Sequence, residues 1–157
     1  MEKCFLLILA IAVIGCVNAR WLNRLDRPLH FSCPHGQSIY QIRSKHHNHE
    51  EDRYWDLRCR KNNANGNCYW TGFLNRYDAI ISFNCQSNEV ISGMYSIHSN
   101  HHEDRMFKVK CCKVTGRTLK NCYQTPFVNN YDGYFNYVLS TGQYLHGLAS
   151  EHNNHYE

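Results

Sequence analysis

Apolar and polar residues alternate over several short segments of this chain. The alternation is clear at 29–33, 55–59, 81–85 and 107–111. A period of two is typical of strands that bury one face. No segment keeps a helical apolar stripe over the roughly ten residues that a helix needs. The pattern therefore predicts an all-β protein built from short strands.

Apolar residues three positions apart interrupt the alternation, at 39–42, 91–94 and 145–148. Gly93 and Gly147 lie inside the second and third of these spans. Glycine inside a strand often marks a β-bulge. We therefore expect a bulge in this strand of each unit, and about four strands per unit when the stretch 69–73 is included.

The chain repeats itself with a period of about 52 residues. The tripeptide Leu-Asn-Arg at 22–24 returns at 74–76. A longer polar pattern, S-x-H-x-N-H-x-E, occurs three times, at 44–51, 96–103 and 150–157. Three copies of one strand unit predict closure about a pseudo-threefold axis, since closure leaves few free sheet edges. A β-prism and a β-trefoil both satisfy this arrangement, and we take the β-prism as the main expectation.

We expect one domain over residues 20–157, with repeats at about 20–68, 69–122 and 123–157. In the first two copies the polar pattern continues into Asp-Arg, whereas the third copy stops at Glu157. The third repeat is therefore expected to be incomplete, and an Asp-Arg-aromatic segment followed by cysteine is expected after it. A natural short form is the alternative.

The first nineteen residues have the layout of a secretory signal peptide. Lys3 precedes an uncharged apolar run at 4–17, and the small residues Val17 and Ala19 suit signal peptidase. The run is too short to span a bilayer comfortably. We expect cleavage after Ala19 and secretion without membrane insertion, with an uncleaved anchor as the alternative.

Secretion makes disulfides the expected state of the cysteines. Nine are present, of which seven follow the signal peptide. The repeat predicts two bonds, each spanning 26 residues, Cys33 with Cys59 and Cys85 with Cys111. Each stabilises the fold by about 3 kcal/mol in the chain-entropy model. Cys112 is left to pair with Cys68 or Cys122, and the odd thiol is compatible with a homo-oligomer.

Composition adds modest limits to this picture. The 157 residues are 43% hydrophobic and 19% charged, with a net charge of +4, which is enough apolar material for one core. A mildly basic chain is compatible with an acidic partner such as a sulfated glycan. Nucleic-acid-binding proteins concentrate Lys and Arg more strongly, so no nucleic-acid partner is predicted.

Several motifs resemble the dermatopontin family. They are Asp-Arg-Tyr-Trp at 52–55, Asp-Arg-Met-Phe at 104–107, Cys-Pro-His-Gly-Gln from Cys33 and the doublet Cys111-Cys112. Within the family, the chain is most similar to the invertebrate haemagglutinin and amoebocyte aggregation factors. The resemblance implies a secreted, non-enzymatic adhesive protein that associates with collagen, proteoglycan and cell surfaces or agglutinates cells.

The chain departs from the family pattern in three places. Phe107 replaces the second Trp, Tyr137 stands where a cysteine is expected, and the third Asp-Arg is absent. These departures leave open whether the three repeats are functionally equivalent.

The repeated polar motif is the candidate ligand-binding surface. Its side chains offer the hydrogen-bond donors and acceptors that sugars and acidic polymers require, and three equivalent loops would add avidity in a lectin-like manner. The candidate residues are His46, Asn48, His49, Glu51, Arg53, His98, Asn100, His101, Glu103, Arg105, His152, Asn154 and His155.

The motif is also compatible with three other roles. The Asp-Arg pairs are equally suited to fixing the loops through charge-assisted hydrogen bonds. The H-x-x-H spacing suits a zinc or copper site, but no H-E-x-x-H occurs and the cysteines are assigned to disulfides, so no metal or cofactor is predicted. No nucleophile elbow is present, and a motif repeated three times favours binding over catalysis, so no enzyme is predicted.

The sequence therefore predicts a secreted, extracellular adhesion or agglutination protein that binds glycans or matrix polymers multivalently. The alternative is a structural protein of the extracellular matrix that organises collagen or proteoglycan.

Overall fold

The computed structural model describes residues 21–153 and contains only strands and irregular segments in that range. The strands are β1 (Leu29–Ser32), β2 (Gly36–His47), β3 (Asp52–Ala64), β4 (Cys68–Trp70), β5 (Ile81–Asn84), β6 (Glu89–Ser99), β7 (Asp104–Lys113), β8 (Phe135–Val138) and β9 (Gly147–Ser150). The all-β prediction is confirmed. The predicted signal peptide, and the candidate residues Asn154 and His155, lie outside the described residues. Within those residues, no helix has the length and hydropathy needed to cross a membrane.

The strands form three antiparallel sheets, with the orders β1-β6-β7-β4, β3-β2-β8 and β5-β9. The first strand of each predicted repeat pairs outside its own repeat: β1 pairs with β6, β5 with β9 and β8 with β2. Each sheet is therefore shared between two repeats. Pseudo-threefold closure as a β-prism or β-trefoil stays a prediction.

The two long hairpins, β2-β3 and β6-β7, carry matching irregularities. The register shifts between Ile39 and Gln41 in β2 and between Ile91 and Gly93 in β6. The bulge expected at Gly93 is present. A Cβ atom there would lie 2.8 Å from the carbonyl oxygen of Phe31 in β1, so glycine is required for the close approach of these two strands.

The fourth strand expected in every repeat occurs once. β4 pairs with the outer edge of β7, with Cys68 opposite Cys112. The corresponding segment at 121–125 is not a strand, and it lies exposed without a strand beside it in the described part of the chain. With the repeat bounds given above, the second repeat contains four strands, β4–β7, as expected, whereas the first contains three, β1–β3.

The core lies where the sheets face one another, and it draws side chains from all three repeats. Its buried members include Leu29, Ile39, Trp55, Leu57, Ile91, Met94 and Val109. Trp55 lies edge-on to Phe107 and Phe135, with ring centroids 5.6 and 6.1 Å apart, respectively. Trp55 thus contacts one aromatic residue from each of the other two repeats, and such a pair contributes about 0.5–1.5 kcal/mol beyond the buried area.

Three disulfides are present: Cys33–Cys59 and Cys85–Cys111 link different sheets, whereas Cys68–Cys112 joins the paired strands β4 and β7 of one sheet. Because β1 lies in the sheet of β6, the first bond joins that sheet to β3, and the second joins the region after β5 to β7. Of the two partners considered for Cys112, the structure selects Cys68. Cys122 is exposed and unbonded.

Candidate functional site

Residues from all three polar motifs line one cavity of about 1170 Å³. The motif residues in its wall are His46, Glu51, Arg53, His98, Glu103, Arg105 and His152. The core aromatics Trp55, Phe107 and Phe135 form part of the same wall. The motifs therefore share one lining and are not separated over the surface of the molecule.

The first histidine of each motif contacts an aspartate that belongs to a different repeat. The contacts are His46 Nδ1 with Asp132 Oδ1 at 3.4 Å, His98 Nδ1 with Asp26 Oδ1 at 3.1 Å and His152 Nε2 with Asp78 Oδ1 at 3.4 Å. The side chains of His46 and His98 are only 7% and 1% exposed. The three histidines therefore lie at the contacts between neighbouring repeats, and His46 and His98 present little surface to a ligand.

Glu51 joins the first two motifs. Its carboxylate lies 3.1 Å from His46 Nε2, and its backbone carbonyl lies 3.2 Å from His98 Nε2. Since a carbonyl only accepts, His98 Nε2 is the donor of that bond. Glu51 was a predicted ligand residue, and the structure places it between two loops.

Asp52 forms a buried ion pair with Arg105 of the next repeat. Its two oxygens accept hydrogen bonds from Arg105 Nε at 2.5 Å and Nη2 at 2.7 Å, and also from the backbone N–H groups of Asp26 and Arg53. Burial alone would raise the pKa of Asp52, but the bonds and charge of Arg105 with the two amides outweigh burial and lower it. The Asp-Arg motif therefore works between repeats, and Asp52 does not pair with its neighbour Arg53 through a side-chain bond.

Arg53, the counterpart of Arg105, donates to Ser44 Oγ at 3.0 Å and to the carbonyl of Gly133 at 2.5 Å. Among the described residues, no carboxylate lies within 4.0 Å of its guanidinium. Burial lowers the pKa of Arg53, and the more distant charges of Asp132 and Asp52 offset this only in part.

Asp104, the counterpart of Asp52, accepts hydrogen bonds from the backbone N–H groups of Arg105 at 2.5 Å and Asp78 at 2.9 Å. His152 Nδ1 lies 3.7 Å from its Oδ1. No arginine or lysine pairs with it within residues 21–153. Burial raises the pKa of Asp104, and the two amides with His152 do not fully compensate.

The tips of the two described loops are exposed and lie side by side. Asn48, His49, Asn100 and His101 are all exposed, and the His49 side chain is 89% exposed. A cleft of about 150 Å³ lies between the tips, lined by His49, Glu50, Glu51, Asn100 and Glu103. Asn48, His49, Asn100 and His101 are therefore accessible from solvent.

Both tips end in the same backbone conformation. Glu51 and Glu103 have φ values of 41° and 50°, in the left-handed region that non-glycine residues rarely adopt. The interactions around each loop must hold this strained turn in place. The two tips therefore share the same type of turn.

Two observations argue against a metal site formed by the motif residues. Asp26, Asp52 and His98 offer ligand atoms within 4.8 Å of one another, but both oxygens of Asp52 are already taken by Arg105 and backbone amides. In the first H-x-x-H pair, one imidazole is buried and the other points to solvent. The absence of a metal stays a prediction.

Some residues that build the site had no role assigned from sequence. Asn23 donates to the carbonyl of Arg53 and accepts from the N–H of Trp55, and Asn75 makes the same two bonds in the next repeat. Both asparagines belong to the repeated Leu-Asn-Arg tripeptide, and this repetition is the sequence pattern that could have identified them. The aspartates that contact the motif histidines also recur at the repeat spacing.

The fold and site define a disulfide-bonded β-protein that presents repeated polar loops from a rigid scaffold. The sequence profile of the Dermatopontin family matches residues 23–157, and the chain belongs to this family. The predicted resemblance is therefore confirmed.

Three relatives illustrate the similarity. The chain is 39% identical over 139 residues to the hemagglutinin/amebocyte aggregation factor of Limulus polyphemus, covering 87% of this chain and 81% of that protein. It is 38% identical over 137 residues to Millepora cytotoxin-1 of Millepora dichotoma, covering 87% of this chain and 61% of that protein. It is 33% identical over 132 residues to a dermatopontin of Biomphalaria glabrata, covering 84% of this chain and 89% of that protein. No solved structure matches the chain.

Proposed function

We propose that this protein is secreted and agglutinates cells by binding glycans or matrix polymers through the exposed tips of its polar loops. The observation that carries the proposal is the adjacent placement of two exposed, polar tips with matching turns in a chain similar to a protein named as a hemagglutinin. The three disulfides support secretion, because such bonds persist in oxidising compartments.

The motif residues divide into two roles in this proposal. Asn48, His49, Asn100 and His101 are exposed and contact the ligand. Their amides and imidazoles both donate and accept, which suits the hydroxyls of a sugar, and Glu103 adds a carboxylate acceptor. The buried His46, His98, Arg53 and Arg105 position the loops.

We propose further that the repeats close about a pseudo-threefold axis. The matching strand exchanges β1-β6, β5-β9 and β8-β2 support such closure. The three His-Asp contacts between repeats support it as well. The protein then offers one composite surface per chain, without an enzymatic or cofactor-dependent step.

Agglutination further requires at least two binding surfaces facing different cells. Since the two described tips lie side by side, they form a single ligand-binding surface on each chain. We infer that the agglutinating form is a homo-oligomer, and that avidity arises between chains.

The test is erythrocyte agglutination by the full-length secreted protein. Replacing Asn48, His49, Asn100 and His101 together with alanine is expected to raise the minimal agglutinating concentration at least about tenfold, because each lost polar contact weakens every site of a multivalent complex. A matched control is His35→Ala, which removes an exposed imidazole outside the loops. Full activity of the quadruple variant, with the same unfolding midpoint as the control, would contradict the proposal.

A second candidate function is the organisation of collagen or proteoglycan in the matrix. An exposed aromatic stretch favours it: Tyr123, Phe127 and Tyr134 are 70%, 61% and 58% exposed. Aromatic side chains with a polar tip are suited to protein interfaces. Collagen pull-down that free sugars do not inhibit would favour this function, whereas sugar-inhibitable agglutination would favour the first.

A further inference from the structure

Two neighbouring rows of residues on the outer face of the sheet β1-β6-β7-β4 contain aromatic and basic side chains and no acidic one. Opposite residues of paired strands lie on the same face of a sheet, and Leu29, Met94 and Val109 of the other face are buried in the core. We call the two rows, with the adjacent Phe73, the aromatic-lysine patch: His30, Tyr95 and Lys108 in one row, and Ser32, Gly93, Lys110 and Trp70 in the next.

The aromatic rings of the patch contact one another and a lysine. The His30 ring lies 5.8 Å from the rings of both Trp70 and Tyr95, measured between centroids. Phe73 lies 6.4 Å from Tyr95, and Lys108 Nζ lies 4.4 Å from the centroid of the Phe73 ring. Rings that already pack against each other lose little conformational freedom when a ligand binds to them.

Gly93 leaves room for two side chains to lie along the sheet. A Cβ atom at this position would lie 3.0 Å from Trp70 Cη2 and 3.0 Å from Lys110 Cβ. The indole of Trp70 therefore extends from β4 across β7 to β6, instead of standing away from the sheet. Trp70 is 38% exposed, so part of this ring is open to solvent. An indole that lies along a surface in this way suits stacking of the apolar face of a sugar ring.

Both lysines of the patch lack a carboxylate partner. Lys110 Nζ donates to Ser32 Oγ at 3.1 Å, and Lys108 Nζ lies over the ring of Phe73. Among residues 21–153, no carboxylate lies within 4.0 Å of either ammonium group. Two ammonium groups without a counter-charge, beside an open indole, favour a ligand that carries a negative charge.

The corresponding face of the sheet β3-β2-β8 is neutralised. There, Asp56 Oδ2 lies 2.9 Å from Arg43 Nη2 and 3.8 Å from Arg58 Nε. The repeat spacing aligns Asp56 with Lys108 and Arg58 with Lys110. The second repeat therefore has a lysine where the first has the neutralising carboxylate, and the uncompensated positive charge belongs to one sheet face.

We propose that the aromatic-lysine patch binds an acidic sugar, whose ring stacks on Trp70 and whose carboxylate or sulfate group pairs with Lys108 and Lys110. This surface is separate from the loop tips. Gly93, at the centre of the patch, lies six positions before Ser99 at the loop end of β6, about 20 Å along the strand. The protein then holds an acidic glycan on a sheet face and a second ligand at its tips.

The test is fluorescence anisotropy of labelled hexasaccharides with the full-length secreted protein. Hyaluronan hexasaccharide carries carboxylates, heparin hexasaccharide carries carboxylates and sulfates, and chitin hexasaccharide carries no charge. We expect saturable binding of an acidic hexasaccharide, at least about tenfold tighter than that of chitin hexasaccharide. Binding of both acidic sugars assigns the anion to a carboxylate, whereas binding of heparin hexasaccharide alone assigns it to a sulfate.

Protein variants locate the binding. Lys108→Gln together with Lys110→Gln is expected to weaken binding at least about tenfold. The matched control is Lys45→Gln together with Lys61→Gln, which makes the same change in net charge at two exposed lysines of the hairpin β2-β3 and should bind like the wild type. Trp70→Ala should weaken binding about fivefold, and Trp70→Phe, which keeps an aromatic ring, should recover most of the affinity.

Equal losses in the two double variants would overturn the inference, because net charge alone would then explain the binding. Equal affinity for chitin hexasaccharide, or no saturable binding of any hexasaccharide at millimolar concentration, would also overturn it. The quadruple alanine variant of the loop tips is expected to bind the acidic hexasaccharide with unchanged affinity, so failure of the tip proposal and failure of this one are recognised separately.

Discussion

At the scale of single residues, Asp52 and Asp104 occupy corresponding positions in their repeats and differ in the charge beside them. Asp52 binds Arg105, whereas Asp104 binds only backbone amides and lies near His152. The same carboxylate therefore has a lowered pKa in one repeat and a raised pKa in the next. The surroundings, and not the residue type, set its contribution to stability.

Asp52→Asn is expected to lower the free energy of unfolding by about 3–5 kcal/mol, because it leaves the buried Arg105 without its counter-charge. Asp104→Asn is the matched control and should cost about 1–2 kcal/mol, since it disturbs hydrogen bonds but strands no guanidinium. Urea unfolding with the disulfides intact measures both. Equal losses in the two variants would contradict the assigned pairing.

The two carboxylates also predict opposite effects of pH. Asp52 has a lowered pKa, so its contribution is fully present above the ordinary value of 3.8 and is lost as the pH falls through the lowered pKa. The stability gap between wild type and Asp52→Asn should therefore close in acid. Asp104 has a raised pKa, so its ionisation lowers the stability of the wild type as the pH rises above 3.8. Over the same rise in pH, the free energy of unfolding of Asp104→Asn should therefore increase relative to that of the wild type. Unfolding midpoints from about pH 7 to about pH 2 measure both trends.

The sequence identified the polar motif residues but not their roles. Spacing showed that His46, His98 and Glu51 belong to one repeated pattern, and this pattern does line one cavity. Their partners Asp26 and Asp132 lie in other repeats, so the contacts depend on how repeats pack and leave no mark in the local spacing. Burial of the motif histidines therefore could not be predicted from one motif alone.

At the scale of secondary-structure elements, the alternation of apolar residues predicted where the strands lie. It did not predict which strands pair with each other. Leu29 would be buried in β1 whether that strand paired with its own hairpin or with β6, because alternation reports only which face is covered. The bulge could be predicted because Gly93 marks it within the strand. The pairing of strands from different repeats could not be predicted, since it is set by the path of the connecting segments.

Gly93→Ala tests the close approach of β1 and β6. The added methyl group would lie 2.8 Å from the Phe31 carbonyl oxygen and 3.0 Å from Lys110 Cβ, so the strands must separate. We expect a loss of about 1–3 kcal/mol in the free energy of unfolding. Gly72→Ala is the control, since a Cβ there meets no atom within 4 Å and the variant should match wild type.

At the scale of the whole molecule, sharing of sheets between repeats predicts that one repeat does not fold alone. A fragment of residues 20–68 would contain β2 and β3 without β8, and β1 without β6. A two-stranded hairpin is marginal in water. Far-UV circular dichroism of the oxidised fragment should show no cooperative thermal transition, whereas the full chain should show one. A cooperative transition in the fragment would contradict the shared-sheet arrangement.

The sharing of sheets between repeats also affects how the protein withstands proteolysis. The exposed stretch at 115–134 joins β7 to β8 and is crossed by none of the three disulfides. A protease that cuts there produces two covalent pieces, yet β8 stays hydrogen-bonded to β2 and β9 stays hydrogen-bonded to β5. The nicked molecule is therefore expected to elute as an intact particle and to come apart only in denaturant.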